Sequence, residues 1–329
     1  MISIALDVPG GDLSFQERIH GALHALNCDE ELRVVFVGDE SQIEPFVKSL
    51  PKTVSLRISI VHTLETISMA EAPSRILKEK KSCSLSLATK LVKEAQCAGI
   101  VSAGNTGAQM AAGLFLLGRM KGIDRPGIAI PVPTNNGYSI LIDGGANTDV
   151  KPKNLLDFAR MGSLFIETVY GIKQPKVAIL NNGSEQEKGN LLTKESYSLL
   201  KREVETFTGF IEGRDLMSGI ADVIVCDGFT GNIILKTMEG TAIAIFSHLK
   251  KEIKKSIWQK LGAILLQKSF QSLKDKLDYR LYGGAPLLGI NGISIICHGT
   301  SDRVAIKNAI LLAVKMVRQK TIEKMASLT

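Results

Sequence analysis

Short apolar runs alternate with amphipathic segments along almost the whole chain. The runs ISIALD (2–7), LRVVFVGD (32–39), VSLRISIVHT (54–63), GIVSAG (99–104), YSILIDGG (138–145), KVAILNNG (176–183), DVIVCDG (222–228) and ISIICHG (293–299) read as strands. Several are apolar nearly throughout, the pattern of strands covered by helices on both faces. Segments 15–26, 84–95, 152–170, 191–205 and 301–325 carry apolar residues at helical spacing. Strands and helices taking turns in this way predict a three-layer α/β/α fold with a mainly parallel sheet. No composition shift marks a linker, so residues 1–329 read as a single α/β/α domain.

The predicted strands end in polar turns. Asp7 leads to Gly10-Gly11-Asp12, Asp143 to Gly144-Gly145-Ala146-Asn147, Asn181-Asn182 to Gly183-Ser184-Glu185, and His298 to Gly299-Thr300-Ser301. Two further turns repeat one pattern. Ile100-Val101 runs into Gly104-Asn105-Thr106-Gly107, and Ile224-Val225 into Gly228-Phe229-Thr230-Gly231. Open parallel sheets bind ligands at the carboxyl ends of their strands. A strand turning sharply into a helix leaves the first helical N–H groups unpartnered, and the helix dipole there favours an anion. The repeated corners therefore predict a cradle for one or two anionic groups. Thr106 and Thr230 have a second reading, as helix N-caps.

Composition narrows the classes. Hydrophobic residues make up 45 % and charged residues 22 % of 329, which excludes a disordered chain. No apolar run approaches the ~18 residues needed to span a bilayer. The five cysteines (Cys28, Cys83, Cys97, Cys226, Cys297) have no metal-ligand spacing and read as buried thiols of a reducing compartment. MISIALDVPGG opens on a strand pattern rather than an export signal, so the expected location is cytoplasmic. The net charge of +7 is concentrated: residues 248–280 hold nine basic and three acidic side chains, a net of +6. The remainder is nearly neutral, which argues against a nucleic-acid partner.

Candidate chemistry is sparse. There is no Gly-x-x-x-x-Gly-Lys-Ser/Thr, no Gly-x-Gly-x-x-Gly after a strand and no Gly-x-Ser-x-Gly. Lys188 stands in a glycine-bearing turn, where it either counters phosphate or oxyanion charge or is a solvated loop lysine. Asp227 ends an apolar strand as a helix cap or a catalytic group. His298 ends another strand and either donates to an anion or is a satisfied core residue. No nucleophilic triad and no metal site can be assembled. An enzyme built on these residues needs a substrate that supplies its own nucleophile, and inorganic phosphate is one.

The blocks SAGNTGA (102–108), GRMKGIDRP (118–126), NTDVKP (147–152), EKGN (187–190), CDGFTGN (226–232), YGGAPLLG (282–289) and HGTSD (298–302) resemble, in order, those of PlsX-type phosphate acyltransferases. Two departures stand out: DVPGGD places Pro9 where that family has methionine, and Ser184 stands for threonine. The resemblance implies a fold similar to isocitrate and isopropylmalate dehydrogenases and phosphotransacetylases, in a homodimer without cofactor. It implies conversion of long-chain acyl-carrier-protein thioester and inorganic phosphate to acyl-phosphate, which feeds phospholipid synthesis through a glycerol-3-phosphate acyltransferase. On that resemblance Lys188 and Asp227 form a catalytic pair. Asp12, Gly104, Asn105, Thr106, Gly107, Gly228, Thr230, Gly231, Asn232 and His298 bind phosphate or substrate. Rival readings are a phosphotransacetylase acting on short acyl-CoA and a non-catalytic membrane-associated scaffold. A nicotinamide-dependent dehydrogenase is a fold-level relative whose glycine fingerprint is missing here.

Residues 240–282 read as a basic helical arm, two helices meeting near Gly262 with an apolar tip. Trp258, Leu261, Ile264 and Leu265 have helical spacing between lysines. The arm fits dimer packing, peripheral contact with an anionic membrane, or docking of the acidic carrier protein.

Overall fold

The computed structural model describes residues 1–73, 79–135, 137–271 and 279–328. Among them twelve strands follow in chain order: β1 (Ile2–Asp7), β2 (Leu32–Gly38), β3 (Ile58–His62), β4 (Gly99–Ser102), β5 (Gly127–Ile128), β6 (Ile130–Thr134), β7 (Gly137–Ile142), β8 (Val177–Asn181), β9 (Phe207–Glu212), β10 (Val223–Val225), β11 (Ala285–Leu288) and β12 (Ile293–Ile296). They form two sheets, where the apolar pattern alone predicts one. The seven-stranded sheet runs β3-β2-β1-β4-β12-β11-β5 and the five-stranded sheet β6-β7-β10-β8-β9. Most pairs are parallel, and the antiparallel ones are β11 with β12, β11 with β5, and β6 with β7.

Alternation along β1 shows why its sequence is apolar throughout. Ile4 and Leu6 enter one core and Ala5 the other, all three at 0 % exposure. The five-stranded sheet repeats this, with Ile140 and Ile142 on one face and Leu141 on the other. The first core is common to both sheets, since Ile4, Val34, Val177 and Val223 all belong to it. Helices Phe15–Cys28, Pro152–Phe165 and Arg303–Arg318 fill it with buried Ile19, Phe158 and Ile310. The sheets pass into one another at Ala129, which separates β5 from β6 and donates its N–H to Pro286 O at 3.0 Å.

Irregular strands escape the apolar pattern for local reasons. Pro131 and Pro133 lie in β6 at the edge of its sheet, where a missing ladder donor is tolerated. Gly209 adopts φ +104° in β9, opposite a register shift at Val177/Ala178. The early part of VSLRISIVHT is instead a helical turn, Lys52–Ser55, so the strand begins only at Ile58. Pro9 follows the last sheet contact of its strand, Val8 N–H to Val37 O at 3.1 Å, so its missing donor comes after the ladder.

The arm also differs from expectation. Helix Gly228–Ile253 ends at Lys254, and a second helix, Ile257–Leu265, starts under the cap of Ser256, whose hydroxyl accepts the Trp258 N–H at 3.2 Å. The two helices therefore meet near Ser256, and Gly262 lies inside the second. Residues 272–278 of the expected arm, with Lys274, Asp275, Lys276 and Asp278, lie outside the described residues. No helix among the described residues is long and apolar enough to cross a membrane.

Candidate active site

Three loops at the carboxyl edge of each sheet build the site. On the seven-stranded sheet they follow the neighbouring strands β1, β4 and β12; on the five-stranded sheet they follow β7, β10 and β8. The edges meet where Lys236 Nζ lies 3.5 Å from His298 Nε2.

On the first edge, Asp7 ends β1 at 2 % exposure and its Oδ2 accepts the Ser102 hydroxyl at 2.7 Å. Ser102 Oγ in turn accepts the Gly104 N–H at 3.0 Å, tying the two strand ends together. Burial pushes the Asp7 carboxyl up, opposed by the Ser102 and Ser84 hydroxyls and by the charge of Arg18. Arg18 is itself buried beneath the loop and donates to Val8 O and to Leu13 O, bracketing the segment that carries Asp12. Gly11 has φ +118°, and a Cβ there would stand 3.0 Å from Arg18 Nη1. Asp12 is exposed, and its N–H donates to Gly299 O at 2.8 Å.

The Asn105 side chain, read from sequence as part of an anion cradle, bonds within the protein. Its Oδ1 caps the Ala108 N–H at 3.0 Å, and its Nδ2 donates to the carbonyls of Ser68, Met69 and Glu71 at 3.2, 3.1 and 2.9 Å. Asn105 therefore fastens the loop after β3 over the corner. Thr106, exposed, and Gly107 follow it, and their N–H groups have no protein partner among the described residues.

On the second edge, Asp227 is the N-cap of helix Gly228–Ile253. Its Oδ1 accepts the Thr230 N–H and its Oδ2 the Thr230 hydroxyl, both at 2.8 Å. Gly228 N–H donates to Asn147 O at 2.8 Å and Gly231 N–H to Asp227 O at 3.0 Å. The helix starts at the third residue of the motif in the first corner and at the first residue in the second. The two corners are thus alike in sequence and different in structure. The second spends three of its first four N–H groups on the protein, so its Thr230 is a partner of Asp227 rather than an open anion donor. The glycines there permit close approach: a Cβ on Gly228 would stand 2.8 Å from Asn147 O and 2.9 Å from Asp143 Oδ2.

Asp143 is a site-shaping residue that the sequence reading noted only as a strand end. At 0 % exposure it accepts five donors: the N–H groups of Ile128, Gly145, Ala146 and Asn147, and Asn147 Nδ2, at 2.7–3.1 Å. Burial pushes its carboxyl up, and these donors oppose that. An aspartate followed by Gly-Gly-Ala-Asn is the signal that could have found it.

Lys188 is exposed in the loop after β8, beside β10, with its N–H on Glu185 O at 3.1 Å. No ion pair joins it to Asp227 among the described residues, and both Asp227 oxygens serve Thr230. The two share a sheet edge without the contact expected of a pair. Asn232 is exposed on the helix, facing Gly145. His298 is exposed, its Nδ1 2.8 Å from the Thr300 hydroxyl.

Two thiols lie at these edges, and neither is a nucleophile at neutral pH. Burial pushes Cys297 up to about 12 and raises Cys226 well above the usual thiol range. Cys83 and Cys97 are also buried, whereas Cys28, expected inside, is exposed. What the edges offer is backbone donors, cations and geometry, suited to orienting an anionic reactant and offsetting developing charge.

Over residues 2–324 the chain matches the family model described as fatty acid synthesis protein. It is 48 % identical over 319 residues to a phosphate acyltransferase of Heliobacterium modesticaldum, covering 97 % of this chain and 95 % of that one. It is 46 % identical over 326 residues to a phosphate acyltransferase of Pelotomaculum thermopropionicum, covering 99 % and 94 %. A phosphotransacetylase structure from Streptococcus pyogenes matches with TM-score 0.61 at 17 % identity, covering 98 % of this chain and 94 % of that one. A branched-chain phosphotransacylase from Enterococcus faecalis V583 matches with TM-score 0.60 at 14 % identity, covering 96 % and 99 %. At such identities the structural likeness shows the shared three-layer α/β/α fold.

The capping geometry predicts how Asp227 tolerates change. Asp227→Ala should lose about 1 kcal/mol of stability in urea melts, the usual worth of an N-cap. Asp227→Asn keeps Oδ1 and should stay within about 0.5 kcal/mol of the parent. Equal losses in the two variants would mean that the charge, not the cap, holds this corner.

Proposed function

Because the chain belongs to the fatty acid synthesis protein family, we infer that it is a phosphate acyltransferase of fatty acid and phospholipid synthesis, and we propose acyl-carrier-protein thioester as its acyl donor. Inorganic phosphate is the acceptor. One of its oxygens forms a bond to the thioester carbonyl carbon, the C–S bond breaks with its electron pair going to sulfur, and the carrier leaves as a thiolate that water protonates. Phosphate is already anionic at neutral pH and a thiolate is a competent leaving group, so a strong general base is not needed. The observation that carries this reading is the make-up of the two edges. The N–H groups of Thr106 and Gly107, without a protein partner among the described residues, and the exposed Lys188 lie in loops at the carboxyl edges of the two sheets, where burial raises both thiols above their usual range.

In this reading Lys188 neutralises phosphate or the developing oxyanion. Asp227 acts by holding the start of its helix, and so Asn232, in place. Asp12, His298 and the backbone around Gly104 and Gly107 border the phosphate. Asn105 holds the loop above it.

The arm supports a membrane and a dimer role. In the 26-residue helix Gly228–Ile253 only Gly228 and Gly231 are buried, leaving Ile233, Ile243 and Ile245 open to a second copy of this chain. At 1.5 Å per residue the helix carries its tip about 39 Å from the site. There Ile257, Trp258, Leu261, Ile264 and Leu265 form one stripe, with Trp258 at 78 % and Leu265 at 85 % exposure. Lys254, Lys255 and Lys260 flank it, the arrangement of an interfacial helix on anionic lipid. The protein is then a cytoplasmic homodimer attached to the membrane surface, delivering acyl-phosphate to a glycerol-3-phosphate acyltransferase.

Purified protein with long-chain acyl carrier protein and phosphate should yield acyl-phosphate by mass spectrometry, with acetyl-CoA a far poorer donor. Lys188→Ala should lower turnover by roughly 10²–10³ while the fold survives. Preference for acetyl-CoA, or undiminished turnover in Lys188→Ala, would overturn the donor or the role respectively. The double variant Trp258→Glu/Leu265→Glu should no longer sediment with anionic vesicles; unchanged sedimentation would discredit the tip.

A further inference from the structure

Arg18 is, at 1 % exposure, the largest fully buried side chain among the described residues, where an apolar residue would fill the space at less cost. Its Nε donates to Val8 O and its Nη2 to Leu13 O at 3.0 Å, while Nη1 has no partner. Asp7, at 2 % exposure, gives Oδ2 to the Ser102 hydroxyl and leaves Oδ1 without a partner. The two opposite charges do not bond, yet each acts on the other. Burial pushes the Asp7 carboxyl up and the Arg18 guanidinium down, and each charge opposes the push on its neighbour. Asp12 and Glu17 also act on Arg18, and Glu17 is held by Arg303 at 2.6 Å.

The Gly10-Gly11 turn touches both charged groups. A Cβ on Gly10 would stand 3.0 Å from Asp7 Cγ and 3.1 Å from Gly104 N. One on Gly11 would stand 3.0 Å from Arg18 Nη1, 3.1 Å from Gly299 O and 3.2 Å from Ala103 O. The loops after β1, β4 and β12 thus close on two glycines, with a buried charge against each.

We propose that Asp7 and Arg18 act as one unit, a buried charge pair that positions this turn, and with it Asp12, for the substrate phosphate. The proposal rests on the reading of the chain as a phosphate acyltransferase and adds the positioning residues of its first edge. Both side chains are too buried to touch phosphate and act through the turn. Attraction between them favours its closed form, in which the Asp12 N–H reaches Gly299 O at 2.8 Å. Buried charges are little screened by salt, so this hold persists where a surface pair would weaken.

A double-mutant cycle on phosphate affinity is the direct test. Asp7→Asn and Arg18→Met should each raise the KM for phosphate about tenfold, a coupling of ordinary size, with the KM for the acyl donor unchanged. The double variant should bind phosphate no worse than either single one. Arg18→Lys, which keeps the charge without the planar fork, should lie nearer the parent than Arg18→Met. Asp7→Asn keeps an acceptor for Ser102, so with Arg18→Lys it tests the pair even where Arg18→Met fails to fold. Isothermal titration with inorganic phosphate alone should show the same losses. Unchanged phosphate affinity in Asp7→Asn would overturn the pair, as would losses that multiply in the double variant or fall equally on phosphate and acyl donor. Non-additive phosphate losses in a protein that makes no acyl-phosphate would retain the pair and refute the proposed reaction. An active parent whose losses multiply would do the reverse.

Discussion

The Asp143 carboxylate joins the two sheets at the point where the site is built. It accepts the Ile128 N–H of the seven-stranded sheet together with four donors of its own loop in the five-stranded sheet. A buried carboxylate so fully bonded is expensive to disturb, since removing it strands the buried Ile128 N–H and four part-buried donors at once. The loop it freezes presents Asn147 O to the Gly228 N–H, and only a glycine can come that close. The start of the 26-residue helix is thereby set, and with it Asn232, Lys236 and the direction of the arm.

This constraint explains how a chain without an activated nucleophile can still catalyse. The buried groups at the edges shape the loops: Asp7 and Ser102 tie β1 to β4, Arg18 brackets the loop of Asp12, and Asn105 fastens the loop after β3. Lys188, Asn232, Lys236 and His298 are exposed at the two edges. Phosphate attack on a thioester asks mainly for alignment and charge compensation. A long helix runs from this edge toward a second helix, Ile257–Leu265, whose apolar residues are exposed beside lysines.

The strands buried on both faces were legible because their apolar runs have no alternative use; β1, β4, β8 and β10 fall within the runs read for them. β6 and β9 were not, since their prolines and Gly209 break the pattern and only an edge position or a register shift accommodates them. The division into two sheets turns on Ala129, a position with no sequence mark. The arm's break follows the Ser256 cap rather than Gly262, because glycine inside a helix is tolerated where a capped serine ends one turn and begins another. At the site, Asn105 reads from sequence as an anion-cradle residue and Asp227 as a helix cap or a catalytic group. Asn105 and Asp227 are polar strand-end residues used as helix caps, a role that sequence cannot separate from ligand binding. The repeated Gly-x-Thr-Gly hid two different helix starts.

The central claim is that phosphate itself is the nucleophile and the protein never carries the acyl group. Intact-protein mass spectrometry after incubation with acyl carrier protein thioester, in phosphate-free buffer, tests this most directly. The account predicts an unmodified protein mass at every time point. A stoichiometric gain of one acyl group, lost again when phosphate is added, would contradict it.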